Sequence, residues 1–193
     1  MKKGYIYTII FIMAVSIVFS GLLAVVNAAF KNRIEINEKA AERKSILYAM
    51  GFDSEGSEAM DFFEQNVAER KSGDVTYYAA KTGEGSAVYA VPFYGSGLWG
   101  TIKGYIGVGE NFTRMLGIAF TEQNETPGLG GRIDEEWYKE QFRGIPLEGD
   151  ISYGGDPGID AITGATSTSN AVLNILNEFI STTLKEVEAA GEE

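Results

Sequence analysis

Between Gly4 and Phe30 the chain runs for 27 residues without a charged side chain, and Ile, Val, Leu and Phe dominate the run. No other stretch restricts the fold so strongly. As an α-helix it would extend roughly 40 Å, more than a hydrocarbon core of about 30 Å, and a helix bonds all its backbone polar groups within the segment. Residues 1–30 therefore read as a single transmembrane anchor. A cleaved signal peptide is the rival reading, because Val26-Asn27-Ala28 offers a plausible cleavage sequence. The apolar run is nevertheless longer than an h-region of roughly 7–15 residues. A lipoprotein is excluded by the lack of cysteine.

Charge does not orient the anchor. Lys2 and Lys3 precede it, whereas Lys31, Arg33, Lys39, Arg43 and Lys44 follow it, so the positive-inside count does not favour an external domain. Long domains translocate largely regardless of charge. Of the 16 basic residues, 14 lie beyond residue 30 with all 27 acidic ones, and so acidic a remainder is no nucleic-acid binder.

Cys and His are both absent. Without thiolate or imidazole there is no cysteine-held iron–sulfur cluster, no His-ligated haem, no ordinary zinc site and no Ser-His or Cys-His nucleophile pair. A chain of this composition that carries electrons needs an organic cofactor held by hydroxyls, backbone and aromatics.

Residues 31–51 read as a connecting helix with Ile36, Ala40, Leu47 and Met50 along one side and Gly51 as its stop. Ser57 to Lys71 reads as a second helix, with Met60, Phe63 and Val67 on one face and Gly73 ending it. From Val75 the period shifts to two. Val75–Ala80 and Ala87–Val91 flank a Gly83-Glu84-Gly85 turn, and Thr101–Val108 and Met115–Thr121 are further strands. Gly104 and Gly107 within a strand indicate a bulge or a close approach, by packed backbone or by ligand. Asp134 is expected to cap a helix from Glu135 to Phe142, with Ile133 and Tyr138 as a staple and Gly144 closing it. The Gly- and Asp-rich loop 148–159, including Asp150 and Asp156, matches no EF-hand spacing and reads as solvated rather than cation-binding. Gly191-Glu192-Glu193 is a frayed end.

The motif with most chemical content is Asp160-Ala161-Ile162-Thr163-Gly164-Ala165-Thr166-Ser167-Thr168-Ser169, placed before a helix whose Val172, Ile175, Leu176 and Phe179 recur at helical spacing. The first amides of such a helix lack intrahelical partners and carry its positive dipole end, so a phosphate at Thr166 would meet donors there. The simpler alternative is that Ser167, Thr168 or Ser169 is an N-cap. Two further strings stand out: Gly97-Leu98-Trp99-Gly100, and Glu125-Thr126-Pro127-Gly128-Leu129-Gly130, whose Pro-Gly suits a type II turn.

Asp160, two residues, then Thr163-Gly164-Ala165-Thr166 resembles the flavinylation motif of the FMN-binding domains in two related proteins, the NqrC component of the sodium-pumping NADH:quinone oxidoreductase and the RnfG component of the Rnf complex. The other two strings resemble elements of the same components, in the same order. The resemblance implies FMN esterified through its phosphate to Thr166 by a separate flavin transferase. It implies Thr163, Gly164 and Ala165 as the phosphate-side cradle and Asp160 in recognition by the transferase. Ring contacts would come from Glu125, Thr126, Gly128, Leu129, Leu98 and Trp99.

The expected fold is α+β: an N-terminal transmembrane helix, then one FMN-binding domain over 52–193 with a mainly antiparallel twisted sheet flanked by helices. The expected role is an electron-transfer subunit of an ion-translocating oxidoreductase, inactive alone, with other membrane subunits as partners. It would sit in the cytoplasmic membrane with its domain on the extracytoplasmic side. The alternatives are a free-standing flavinylated carrier for extracellular electron transfer and an anchored binding module without cofactor.

Overall fold

A computed structural model of the chain describes residues 2–52, 55, 56, 58–155 and 158–191. The expected helix start at Ser57, the loop residues Asp156 and Pro157, and the terminal Glu192 and Glu193 lie outside the described residues.

Two compact units are present, Met1–Ala40 and Ala41–Glu193. In the first, the helix α1 (Lys2–Met50) exposes every described side chain from Gly4 to Lys39. A helix apolar on all sides has no aqueous partner face, and this one is long and apolar enough to cross a membrane.

The second unit opens with the last turns of α1. Gly51 stops the helix at φ +84° in a Schellman arrangement, its N–H donating to the Tyr48 carbonyl and that of Phe52 to the Leu47 carbonyl. Here the sequence expectation is half met: Leu47 and Met50 are buried, with Ile46 and Ala49, but Ile36 is exposed. The end of α1 is thus part of a core rather than a bare stalk.

Helix α2 is shorter than expected, Glu58–Asn66. The expected continuation to Lys71 is replaced by an edge strand, β1 (Ala68–Ser72), and Gly73 turns it into β2 (Val75–Lys81). β3 (Ala87–Ser96), β4 (Thr101–Gly109) and β5 (Met115–Glu122) complete an antiparallel sheet in sequential order. The fold is α+β, with cores on both faces of this sheet.

One core joins Val91, Phe93, Ile102, Ile106, Val108 and Ile118 to the later helices: α3 (Glu136–Glu140), α4 (Thr166–Ser181) and α5 (Thr183–Gly191). The other joins Ala90, Tyr105 and Ala119 to the end of α1 and to Ala59 and Phe63 of α2. Gly107 of β4 faces the end of α1, where a Cβ would lie 1.8 Å from the Ala49 carbonyl oxygen. Packed backbone, together with a register shift on each side of the 104–107 stretch, accounts for Gly104 and Gly107.

Asp134 does not cap a helix. It ends a 3-10 turn (Gly130–Asp134), and its carboxylate accepts from Gln123 Nε2 at 3.0 Å. Glu135 sits at the N-cap of α3 without a side-chain cap bond.

Candidate functional site

The loop before α4 turns on Gly164. Ala165 N–H donates to the Ile162 carbonyl at 2.9 Å, and Gly164 takes φ +81° at the third position of that turn, where a side chain would be strained. Helix α4 then starts with Ala165 at its N-cap and with no side-chain cap bond. The simpler reading of the hydroxyl row as an N-cap is therefore set aside. The Ala165 side chain supplies no oxygen, and the leading amides of a 16-residue helix are left without a capping side chain.

The helix sorts its four hydroxyls by direction. Thr166 and Ser167 are exposed, and no described residue hydrogen-bonds to the Thr166 hydroxyl. Thr168 and Ser169 are buried. Ser169 Oγ accepts the Ile162 N–H at 3.0 Å, closing the turn from behind, and its carbonyl accepts from Tyr153 at 2.7 Å.

Thr168 Oγ1 donates to Glu125 Oε2 at 2.5 Å. The same carboxylate's Oε1 accepts the Leu98 and Trp99 amides at 2.8 and 3.0 Å. These amides belong to the turn between β3 and β4, which Gly97 N–H closes on the Gly100 carbonyl at 2.7 Å. Glu125 is 5% exposed, whereas Leu98 and Trp99 are 55% and 68% exposed. The turn therefore presents two apolar side chains to solvent while its backbone is fastened to α4.

Thr126 to Leu129 form the expected turn, Leu129 N–H donating to the Thr126 carbonyl at 3.0 Å with Gly128 at φ +75°. It carries Leu129 to the motif: a Cβ on Gly164 would meet Leu129 Cδ2 at 3.4 Å. Asp160 is held by its backbone, its N–H donating to Gln141 Oε1 at 2.7 Å, and its exposed side chain lines a cleft with Arg132, Trp137, Ala161 and Thr163. The Arg132 guanidinium lies 5.3 Å over the Trp137 ring and bonds Glu135. The Trp137 indole N–H, with Arg132 beside it, holds the Glu135 carboxyl below the usual glutamate range.

Three strings separated by up to about 60 residues are thus gathered at the mouth of one helix. Residues 97–181 match the FMN-binding domain family. That region of the chain is similar to FMN-binding domains.

The match contains all the residues singled out from the three strings. Among relatives, the NqrC component of the Na(+)-translocating NADH-quinone reductase of Vibrio anguillarum is 32% identical over 115 residues, covering 53% of this chain and 45% of that protein. Its counterpart in Pasteurella multocida is 38% identical over 109 residues, covering 50% and 42%. The chain thus spans under half the length of these relatives. Among solved structures, the chain superposes on the NqrC of Parabacteroides distasonis with a TM-score of 0.68 at 24% identity, covering 81% of this chain and 96% of that one. For Shewanella oneidensis NqrC the values are 0.64 and 22%, over 79% and 98%. These two likenesses establish the fold.

The matched region has features that fit a phosphate-tethered ring: an uncapped helix start, an exposed hydroxyl-bearing residue and exposed apolar side chains nearby. Motif reading overlooked Thr168, Arg132 and Trp137. Their signal exists only in three dimensions, because Thr168 looks like one more hydroxyl in a row and the other two lie in no string.

Proposed function

We propose that the chain is a membrane-anchored flavoprotein subunit that carries FMN as a phosphoester on Thr166 and relays electrons within an oxidoreductase of the Nqr or Rnf type. The observation that carries this reading is the start of α4, where Ala165 leaves the leading amides uncapped and Thr166 points its hydroxyl outward. Those amides and the dipole of α4 would hold the phosphate, with Gly164 and Ala165 leaving room for it. Thr163 and Asp160 border the approach, where the flavin transferase would recognise the motif.

Leu98, Trp99 and Leu129 would give the ring an apolar, water-excluding wall. Thr126 and Gly128 hold the turn that presents Leu129. Glu125 acts from behind the same wall. Bound FMN supplies electron-accepting chemistry that no side chain of this chain provides. A protein so built is one relay and is inactive alone.

The NqrC relatives and the resemblance to RnfG support partners that are integral membrane proteins. The long apolar helix supports anchorage, in the cytoplasmic membrane with the domain on the extracytoplasmic side, as that resemblance implies.

The test is intact-mass analysis of the full chain produced with a flavin transferase. One FMN adduct is expected, absent in Thr166→Ala and absent when the transferase is withheld. An unshifted wild-type mass, or an adduct that persists in Thr166→Ala, rejects the proposal.

A further inference from the structure

We infer that Glu125 is a positioning residue for the flavin and not a contact of its ring: the enclosed carboxylate bolts the Leu98-Trp99 turn to the first turn of α4, beside the attachment residue. This rests on the reading of Thr166 as the site of FMN.

Both carboxylate oxygens are engaged, Oε1 by two amides and Oε2 by the Thr168 hydroxyl, and the side chain is enclosed. The enclosure is built from glycine. A Cβ on Gly97 would lie 2.5 Å from Oε1, and one on Gly130 would lie 2.8 Å from Oε2 and 2.5 Å from Thr168 Oγ1. One glycine from each of two motifs therefore leaves room for this carboxylate, Gly97 leaving room for the Ile102 side chain as well, a role that needs no ligand.

No cation among the described residues hydrogen-bonds to Glu125 or pairs with it. Its charge is met by three donors and by the positive end of α4. A buried carboxylate is costly unless its bonds are made, so these three act together. The turn it holds has Gly at both ends and two solvent-exposed apolar side chains between them, and its remaining described closure is the bond from Gly97 to Gly100. Where Leu98 and Trp99 stand relative to Thr166 is consequently decided by Glu125.

The full chain in detergent provides the test. In the unloaded protein, Glu125→Ala should accelerate hydrogen exchange at the Leu98 and Trp99 amides roughly tenfold or more, the scale expected for a charge-assisted bond. Exchange at Ile106, in the sheet centre, should not change. Glu125→Gln should retain most of the protection, because one amide oxygen can accept both N–H groups while its NH2 group faces the Thr168 hydroxyl. Thr168→Val, which keeps the shape, supplies a second route to the same loosening if Glu125→Ala does not fold.

In the loaded protein, Trp99→Ala should raise flavin emission by removing a quenching neighbour. Glu125→Ala and Thr168→Val should raise it in the same direction, each adding little on top of Trp99→Ala, as for groups acting through one another. Glu125→Gln should stay near the wild type. The inference is overturned if exchange at Leu98 and Trp99 is unchanged in both loosened variants, or if Glu125→Gln alters flavin emission while leaving that exchange intact. A wild-type chain that takes up no flavin rejects the FMN reading and this role together, whereas a flavin-loaded protein with unchanged exchange rejects this role alone.

Discussion

Two residues of this chain, Gly107 and Tyr48, take their meaning from neighbours that sequence does not announce. Gly107 has an ordinary backbone conformation but no space, since its Cβ would fall 1.8 Å from the Ala49 carbonyl oxygen. Gly107→Ala is expected to destabilise the full chain by about 3 kcal/mol, measured by urea unfolding in detergent, because backbone on either side must move. Tyr48 carries a different expectation. Burial, with the Glu140 carboxylate accepting its hydroxyl, pushes its pKa up to about 12. The folded state then holds the proton more tightly than the unfolded state, so this contribution is complete below pH about 10 and is lost as pH rises toward about 12. In Tyr48→Phe, the unfolding midpoint should fall less steeply than in the wild type across that window. Identity alone discloses neither fact: each depends on a neighbour, Ala49 for one and Glu140 for the other, that lies far away in the chain.

Elements were legible in proportion to how much of their burial is periodic. β4 alternates in sequence, and its Ile102, Ile106 and Val108 do face one core while Tyr105 faces the other. The strand expected over Met115–Thr121 is found as β5, one residue longer, and the turn at Pro127-Gly128 followed from the φ angles that those residues favour. Ala68–Ser72 was not legible. Its charged residues scan as the basic end of a helix, yet as an edge strand they pair with β2 and keep water on the open side, so sheet pairing overrides local propensity. Gly51 ends α1 at φ +84° with only Arg143 Nη1 at 4.0 Å from where a Cβ would be. Gly51→Ala should therefore cost about 1–2 kcal/mol of unfolding free energy, conformational rather than steric in origin, in the same urea titration.

At the scale of the whole molecule, the boundary between anchor and domain is the point most open to measurement. We propose that the folding unit starts at Ala41, inside α1, and not after the helix at residue 52. Ile46, Leu47, Ala49 and Met50 are almost fully enclosed against Ala90, Tyr105 and Ala119. A chain beginning at Ala41 should give a cooperative melt and resist limited proteolysis. One beginning at Phe52 should expose that apolar face and melt at least 10 °C lower, since removing several buried apolar residues costs about 2–5 kcal/mol each. Equal melting of the two would restore the later boundary.

What the amino-acid order by itself determined was of a local or compositional kind: an uncharged run that must span or be removed, the exclusion of thiol and imidazole chemistry, the strands with clean alternation, and a motif placed before a helix. These follow from properties carried by consecutive residues. Only the tertiary structure decided that Thr166 faces outward and Thr168 inward, that the Glu125 carboxylate lies enclosed between Gly97 and Gly130, and that the end of α1 belongs to the sheet's second core. Each of those depends on which distant groups the fold brings within a hydrogen bond's reach, and chain order does not encode that distance.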